Sequence, residues 1–118
     1  MLNDKRILLI EDDEDLRMIF FSQLKDLNAS VLVANSGNEA IKLLGLNLPI
    51  DIIVSDYSMP DGDGVSVLKY VAQKNLEIPF VFYTNNINPS IPEKYPRFLG
   101  IIHKLDFDLL VEVIKQNT

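Results

Sequence analysis

Carboxylate, hydroxyl and lysine side chains stand at the ends of several short apolar runs in this sequence. Glu11 and Asp12 follow the first run, Asp56 follows the third, Thr84 follows the fourth and Lys104 follows the fifth. Carboxylates that are brought together repel one another, and an unpaired buried charge is costly. A cluster of this kind therefore calls for a lysine and a divalent cation, and hard carboxylate oxygens favour Mg²⁺.

Such a set of groups suits phosphoryl transfer to a carboxylate. An aspartate carboxylate is a nucleophile toward phosphorus and forms an aspartyl phosphate. Phosphoryl transfer depends mainly on positioning and on neutralising the equatorial oxygens. A metal ion, a lysine and a hydroxyl donor supply both, so the pattern favours Asp56 as the acceptor.

Each of these residues also has an ordinary structural role when it is taken alone. Asp12, Asp13 or Glu14 can cap the helix that follows the first strand. Asp56 can be a turn residue, Thr84 a turn or cap residue, and Lys104 a solvated surface lysine. The joint occurrence of these side chains at strand ends, and no single residue, favours the chemical interpretation.

The elements that must position these groups follow from the hydrophobic pattern. Five continuous apolar runs alternate with segments of helical periodicity, which predicts a parallel sheet covered by helices on both faces. In such sheets, ligands bind beyond the carboxyl ends of the strands, where the polar residues above are expected to meet. The predicted strands are 7–10, 31–34, 52–54, 80–82 and 99–102.

The predicted helices carry local signals as well. Ser36 followed by Glu39 is a capping-box pattern. The stretch 88–96 contains three prolines, which do not suit a full helix, so we expect a short, irregular or missing fourth helix there. The first helix is predicted from apolar residues at helical spacing, namely Leu16, Ile19, Phe20, Leu24 and Leu27.

Length and composition limit the class of protein. The 118 residues predict a single domain, 1–118, with 47% hydrophobic residues to form its core. A net charge of −6 argues against direct nucleic-acid binding, and no apolar run approaches a membrane span. The absence of cysteine excludes disulfides and suits a cytoplasmic location, which is our expectation.

In their order along the chain, these residues resemble the receiver family of bacterial response regulators, of the chemotaxis-regulator type. The resemblance covers essentially the whole chain, and the ordered set is far more specific than any one motif. The matching residues are Glu11-Asp12-Asp13 with Arg17, Asp56 with Met59-Pro60, Gly62 and Gly64, Thr84, and Lys104.

The resemblance implies a flavodoxin-like α/β fold, a doubly wound five-stranded parallel sheet in the order 2-1-3-4-5. It also implies that Asp56 accepts the phosphoryl group and binds Mg²⁺. By position, Asp12 would bind the metal directly, Glu11 through water, and Ser58 through its backbone carbonyl. Thr84 would hydrogen-bond the phosphoryl group, and Lys104 would pair with its oxygens.

The same resemblance implies a signalling role in a two-component system or phosphorelay. The domain would take its phosphoryl group from a histidine kinase or a histidine phosphotransfer protein. It would act on a downstream effector protein or an attached domain. It would phosphorylate and dephosphorylate itself with Mg²⁺, without being a turnover enzyme.

Three positions depart from the family pattern. Asn85 stands where the family usually has a small residue after the threonine. Our hypothesis is that its larger side chain slows the access of water or a phosphatase to the phosphoryl group. Ile101 stands where the family has its switch aromatic. Leu105 replaces the proline that usually follows the lysine across a cis bond, so a trans Lys104–Leu105 bond is expected. We therefore predict that phosphoacceptance is kept and that the output mechanism is unusual.

Two other interpretations remain open from the residues. A degenerate receiver would keep the fold and bind proteins without being phosphorylated. A flavodoxin-like or nucleotide-binding enzyme would need glycines or hydroxyls after the first strand, where this chain has Glu11 to Asp15. The Asp61-Gly62-Asp63-Gly64 stretch lacks the spacing of a calcium loop, and His103 is expected to be structural.

Overall fold

The computed structural model describes residues 1–86, 90–91 and 95–118, and its five strands form one parallel sheet. The strand order is β2-β1-β3-β4-β5, which confirms the predicted flavodoxin-like topology. Each strand is one or two residues longer than its apolar run. The strands are β1 Arg6–Ile10, β2 Ser30–Ala34, β3 Ile52–Ser55, β4 Phe80–Thr84 and β5 Phe98–His103.

Four helices in the described residues cover the sheet, and each begins at a side-chain cap. In every case, a carboxylate or hydroxyl oxygen accepts a hydrogen bond from the backbone N–H three residues later. The caps are Asp13, Ser36, Asp63 and Asp106. The helices are α1 Glu14–Asp26, α2 Gly37–Leu44, α3 Gly64–Gln73 and α4 Phe107–Asn117.

The predicted capping box at the start of α2 is half right. The Ser36 hydroxyl accepts from the backbone N–H of Glu39 at 3.0 Å, as predicted. The Glu39 carboxylate instead accepts from the backbone N–H of Asn35, at 2.9 Å. The return bond therefore lies one residue earlier than the motif predicts.

The sheet separates two apolar layers. Alternate residues of the buried strands face α1 and α4 on one side and α2 and α3 on the other, as a sheet's two-residue period requires. Ile19 is an exception to the predicted helix face, because 51% of its surface is exposed while Phe20 and Leu24 of the same helix are buried. Within the described residues, no helix has the length and apolarity to cross a membrane.

The edge strand β5 is irregular. Phe98 and Gly100 pair with the consecutive residues Phe80 and Val81, so Leu99 is an extra residue in the ladder. Gly100 has a φ of +114°, a conformation that favours glycine.

The segment between β4 and β5 lies only partly within the described residues. Our expectation for a short, irregular or missing helix concerns residues 88–96, and residues 87–89 and 92–94 lie outside the described part. In the described residues between β4 and β5 there is no helix. After β5, the Lys104–Leu105 bond is trans, as expected without proline.

Candidate functional site

Two carboxylates and an ammonium group meet at the carboxyl edge of the sheet. The Lys104 Nζ atom lies 2.6 Å from Glu11 Oε1 and 2.9 Å from Asp56 Oδ2. The three side chains are 8%, 2% and 10% exposed, respectively. Lys104 therefore links the end of β1 to the end of β3 in a nearly buried ion-pair cluster.

A third carboxylate adjoins this pair. Glu11, Asp12 and Asp56 each offer an oxygen, and these oxygens lie within 4.8 Å of one another. Glu11 and Asp56 are buried, while Asp12 is exposed to solvent. Three carboxylates against one lysine leave an excess of negative charge, and the donors are hard oxygens. This donor set fits Mg²⁺, which often binds one or two protein carboxylates and keeps several waters.

The pKa values of Glu11 and Lys104 both lie above their ordinary values. Burial, reinforced by the charge of Asp56, raises the pKa of Glu11 to about 7 despite its hydrogen bond to Lys104. Burial by itself lowers the pKa of Lys104. The hydrogen bonds from Lys104 to Glu11 and Asp56 outweigh that effect, and the pKa of Lys104 lies above its ordinary value. The lysine therefore stays charged, while the ionised form of Glu11 remains disfavoured despite this counter-charge.

Backbone contacts hold the acidic side chains in place. Arg17 Nη1 donates to the backbone carbonyl of Glu11 at 3.0 Å, which ties α1 to the end of β1. The Asp56 Oδ1 atom accepts from the backbone N–H of Tyr57 at 2.7 Å. The Ser55 hydroxyl donates to the Asp56 carbonyl at 2.7 Å. The position of Asp56 is thus fixed by its own strand and by the residue that follows it.

Thr84 and Ser58 are placed differently from the charged cluster. Thr84 is buried at the end of β4, and its hydroxyl accepts from the backbone N–H of Asn86 at 3.1 Å. The backbone N–H of Lys104 donates to the Thr84 carbonyl at 3.2 Å, so the two residues share one edge. Ser58 is exposed on the loop after Asp56.

A family comparison identifies the class of domain. Residues 7–111 match the family described as the response regulator receiver domain. The chain belongs to the response regulator receiver family. Receiver domains bind Mg²⁺ at an acidic pocket and occur with histidine kinases and effector domains in two-component systems.

This receiver is similar to one part of each of two longer proteins, a sensor histidine kinase and a transcriptional regulatory protein. It is 35% identical over 118 residues to the sensor histidine kinase RcsC of Salmonella typhi, covering 98% of this chain and 12% of RcsC. It is 30% identical over 98 residues to the transcriptional regulatory protein PhoP of Bacillus subtilis, covering 83% of this chain and 38% of PhoP. The receiver thus spans only a minor part of these relatives.

A solved structure shares the fold. The response regulator TrrA of Thermotoga maritima, in complex with Mg²⁺ and BeF, superposes with a TM-score of 0.86 at 23% identity. The match covers 97% of this receiver and 99% of the TrrA chain.

Several ordinary interpretations of single residues apply to the neighbours of the site. Asp13 caps α1 and Asp63 caps α3, so these two acids serve helix starts. The Asp61 carboxylate accepts from the side-chain amide of Asn38 at 2.8 Å. His103 Nδ1 accepts from the backbone N–H of Leu105 at 3.1 Å, a structural contact. Lys104, in contrast, is not a solvated surface lysine.

Tyr83 is a contact of this site that the motifs did not predict. Its hydroxyl donates to the backbone carbonyl of Lys104 at 2.9 Å. A signal was available in the sequence, because a tyrosine in a fully buried strand needs a hydrogen-bond partner for its hydroxyl. The periodicity alone gave no indication of which residue that partner is.

Proposed function

We propose that this receiver accepts a phosphoryl group on Asp56 in a Mg²⁺-dependent reaction. The donor would be a histidine kinase or a histidine phosphotransfer protein. The observation that carries the proposal is the meeting of Lys104 with Glu11 and Asp56 beside Asp12, which gives a nucleophile, a cation and a metal-binding donor set at one point. Family membership supports the same reaction.

The transfer would exchange one bond to phosphorus for another. A carboxylate oxygen of Asp56 bonds to phosphorus while the bond from phosphorus to the donor imidazole nitrogen breaks, and the imidazole leaves. Lys104 would stay protonated and pair with the phosphoryl oxygens, and Thr84 would donate a hydrogen bond to them. Bound Mg²⁺ would supply the further positive charge that the reaction needs.

Metal binding would use the oxygens at the carboxyl edge. We assign Asp12 and Asp56 as direct ligands, Glu11 as a ligand through water, and Ser58 as a ligand through its backbone carbonyl. The excess of carboxylates over lysine supports this assignment, because a divalent cation offsets charge that Lys104 leaves uncompensated.

The reaction would serve signalling and not turnover of a substrate. Phosphorylation would change the binding of a downstream effector protein or an attached domain, and the phosphoryl group would later be lost by self-dephosphorylation. We propose further that residues 1–118 form a single receiver domain and that it works in the cytoplasm. The single sheet with two apolar layers supports the domain assignment.

Labelling with a small acyl phosphate tests the proposed function. We expect Mg²⁺-dependent incorporation of one phosphoryl group, abolished in Asp56→Asn because the amide is not a nucleophile toward phosphorus. Intact-protein mass spectrometry would measure it. Asp51→Asn is the matched control and should label normally, because Asp51 lies at the opposite end of β3 from Asp56. Absence of labelling in the unaltered protein would favour the degenerate, protein-binding receiver.

Asn85 provides a second test at the same edge. It is exposed directly after the buried Thr84, so its amide would stand beside a phosphoryl group on Asp56. We expect Asn85→Ala to shorten the lifetime of the aspartyl phosphate, because a smaller side chain admits water more readily. Loss of label over time would measure the lifetime, with Asn35→Ala, an exposed amide after β2, as the control. Equal lifetimes would contradict the hindrance.

A further inference from the structure

We infer that Tyr83 is a positioning residue that holds Lys104 in place for the proposed reaction. The inference rests on the proposed function, since Lys104 matters to it as the cation beside Asp56. Tyr83 is neither one of the residues that match the receiver family's motifs nor one of the proposed metal ligands. It acts through the backbone of Lys104 and touches no carboxylate of the cluster.

The geometry of Tyr83 suits this role. It lies on β4, directly before Thr84, and is only 2% exposed. Its ring packs against Phe20 of α1, with ring centroids 4.9 Å apart. Its hydroxyl then reaches the carbonyl of Lys104 at 2.9 Å. The tyrosine is therefore held both at its ring and at its hydroxyl.

Residue 104 is held at both of its backbone groups by consecutive residues of β4. Its N–H donates to the Thr84 carbonyl at 3.2 Å, and its carbonyl accepts from the Tyr83 hydroxyl at 2.9 Å. These two bonds fix the backbone from which the ammonium reaches Glu11 and Asp56. Loss of either bond would free one side of the residue.

The loop after Lys104 has little packing of its own. Leu105 is 89% exposed, so its side chain does not anchor the loop in the core. The N–H groups of Leu105 and Asp106 bond to His103 within the turn, and Asp106 caps α4, but none of these bonds involves the Lys104 carbonyl. Tyr83 therefore supplies the contact that ties the Lys104 carbonyl to the body of the domain.

The hydroxyl is the feature that distinguishes this residue from its neighbours. Phe80 and Phe82 on the same strand pack into the core without a polar group. A phenylalanine at position 83 would bury the same ring without the cost of desolvating a hydroxyl. Burial raises the pKa of Tyr83 to about 12, so the hydroxyl remains a donor at neutral pH.

A metal-free experiment tests the inference directly. In Tyr83→Phe, we expect the Lys104 amine to be acetylated by acetic anhydride about two- to tenfold faster, the range that one neutral hydrogen bond supports. Peptide mass spectrometry would quantify the modification against exposed Lys25 in the same molecule. Tyr70→Phe removes a tyrosine hydroxyl from α3 and should leave the Lys104 rate unchanged.

A stability control separates positioning from general weakening. Val81→Ala lies on the same strand and in the same apolar layer as Tyr83, and it should destabilise the fold without exposing Lys104. If Val81→Ala and Tyr83→Phe raise the Lys104 rate alike, or if Tyr83→Phe leaves it unchanged, the positioning role is overturned.

Labelling from the small acyl phosphate completes the comparison. With Mg²⁺, Tyr83→Phe should label about two- to tenfold more slowly than Tyr70→Phe, while its affinity for Mg²⁺ is unchanged. Normal labelling of Tyr83→Phe would overturn this inference and leave the proposed function intact. No labelling of the unaltered protein would instead contradict the proposed function, and the acetylation rates would still report on the geometry.

Discussion

Replacing Lys104 by methionine should lower the free energy of unfolding by about 3 kcal/mol in Mg²⁺-free buffer at about pH 8. The Lys104 ammonium is the cation that contacts both Glu11 and Asp56, and the three side chains are nearly buried. Methionine has a similar length and no charge. The variant would therefore leave two carboxylates facing each other without a counter-charge.

The loss should depend on pH in a defined direction. The pKa of Glu11 is raised to about 7, above its ordinary value, so its ionised form is disfavoured in the folded state. Its unfavourable contribution is absent below the ordinary pKa and grows as the pH rises toward the folded pKa. In the variant, Glu11 can relieve the repulsion by keeping its proton. The deficit should therefore be smaller at about pH 6 than at about pH 8.

Urea unfolding followed by circular dichroism would measure both effects. Lys25→Met, at an exposed position in the last turn of α1, is the matched control and should change stability little. Added Mg²⁺ should recover part of the Lys104→Met deficit, because a bound divalent cation offsets the same carboxylates. An equal, small loss in both variants would contradict the view that Lys104 is the main counter-charge.

Gly37→Ala should destabilise the fold by about 3 kcal/mol, at the upper end of the usual cost of overpacking. Gly37 begins α2, and its N–H donates to the Gly62 carbonyl at 2.8 Å. An added Cβ would overlap the Gly62 carbonyl group and lie 2.8 Å from the backbone oxygen of Asp63. These are backbone atoms of the loop after Asp56, so the overlap cannot be relieved by the movement of a flexible side chain.

Gly45→Ala offers a matched comparison at the other end of the same helix. Its φ of −66° is open to alanine, and the nearest atom to an added Cβ is the Lys42 carbonyl oxygen at 3.4 Å. That variant should be neutral or stabilised by about 0.4–1 kcal/mol. Thermal unfolding of the two variants would give the difference. Equal stabilities of Gly37→Ala and Gly45→Ala would contradict the close approach of α2 to the backbone of this loop.

The strands and the polar edge were predictable because their signals are short-range and strong. Continuous apolar runs specify strands buried on both faces, and parallel strands bring their carboxyl ends to one edge. The same reasoning predicts that Glu11, Asp56 and Lys104 lie at one edge of the sheet. It gave no means of predicting that Lys104 would contact both acids at once.

The features that sequence reasoning missed depend on contacts between distant residues. Ile19 has the spacing of a core residue, yet nothing in the described structure covers it enough to bury it. The partner of Tyr83 lies 21 residues away, so no local motif reveals it. The Glu39 carboxylate accepts from the backbone N–H of Asn35, one residue before the cap, where the motif places the donor at Ser36.

The irregular strand β5 has a consequence for how the domain behaves at high concentration. An apolar strand at the edge of a sheet offers unpaired backbone groups on which a second chain can add a strand and begin to aggregate. The extra residue Leu99 and the positive φ of Gly100 interrupt the regular spacing of those groups. Bulges of this kind increase local twist and make an edge a poor template. The backbone of β5 should thus make this edge a poor site for strand addition, whatever the charge of the surrounding surface.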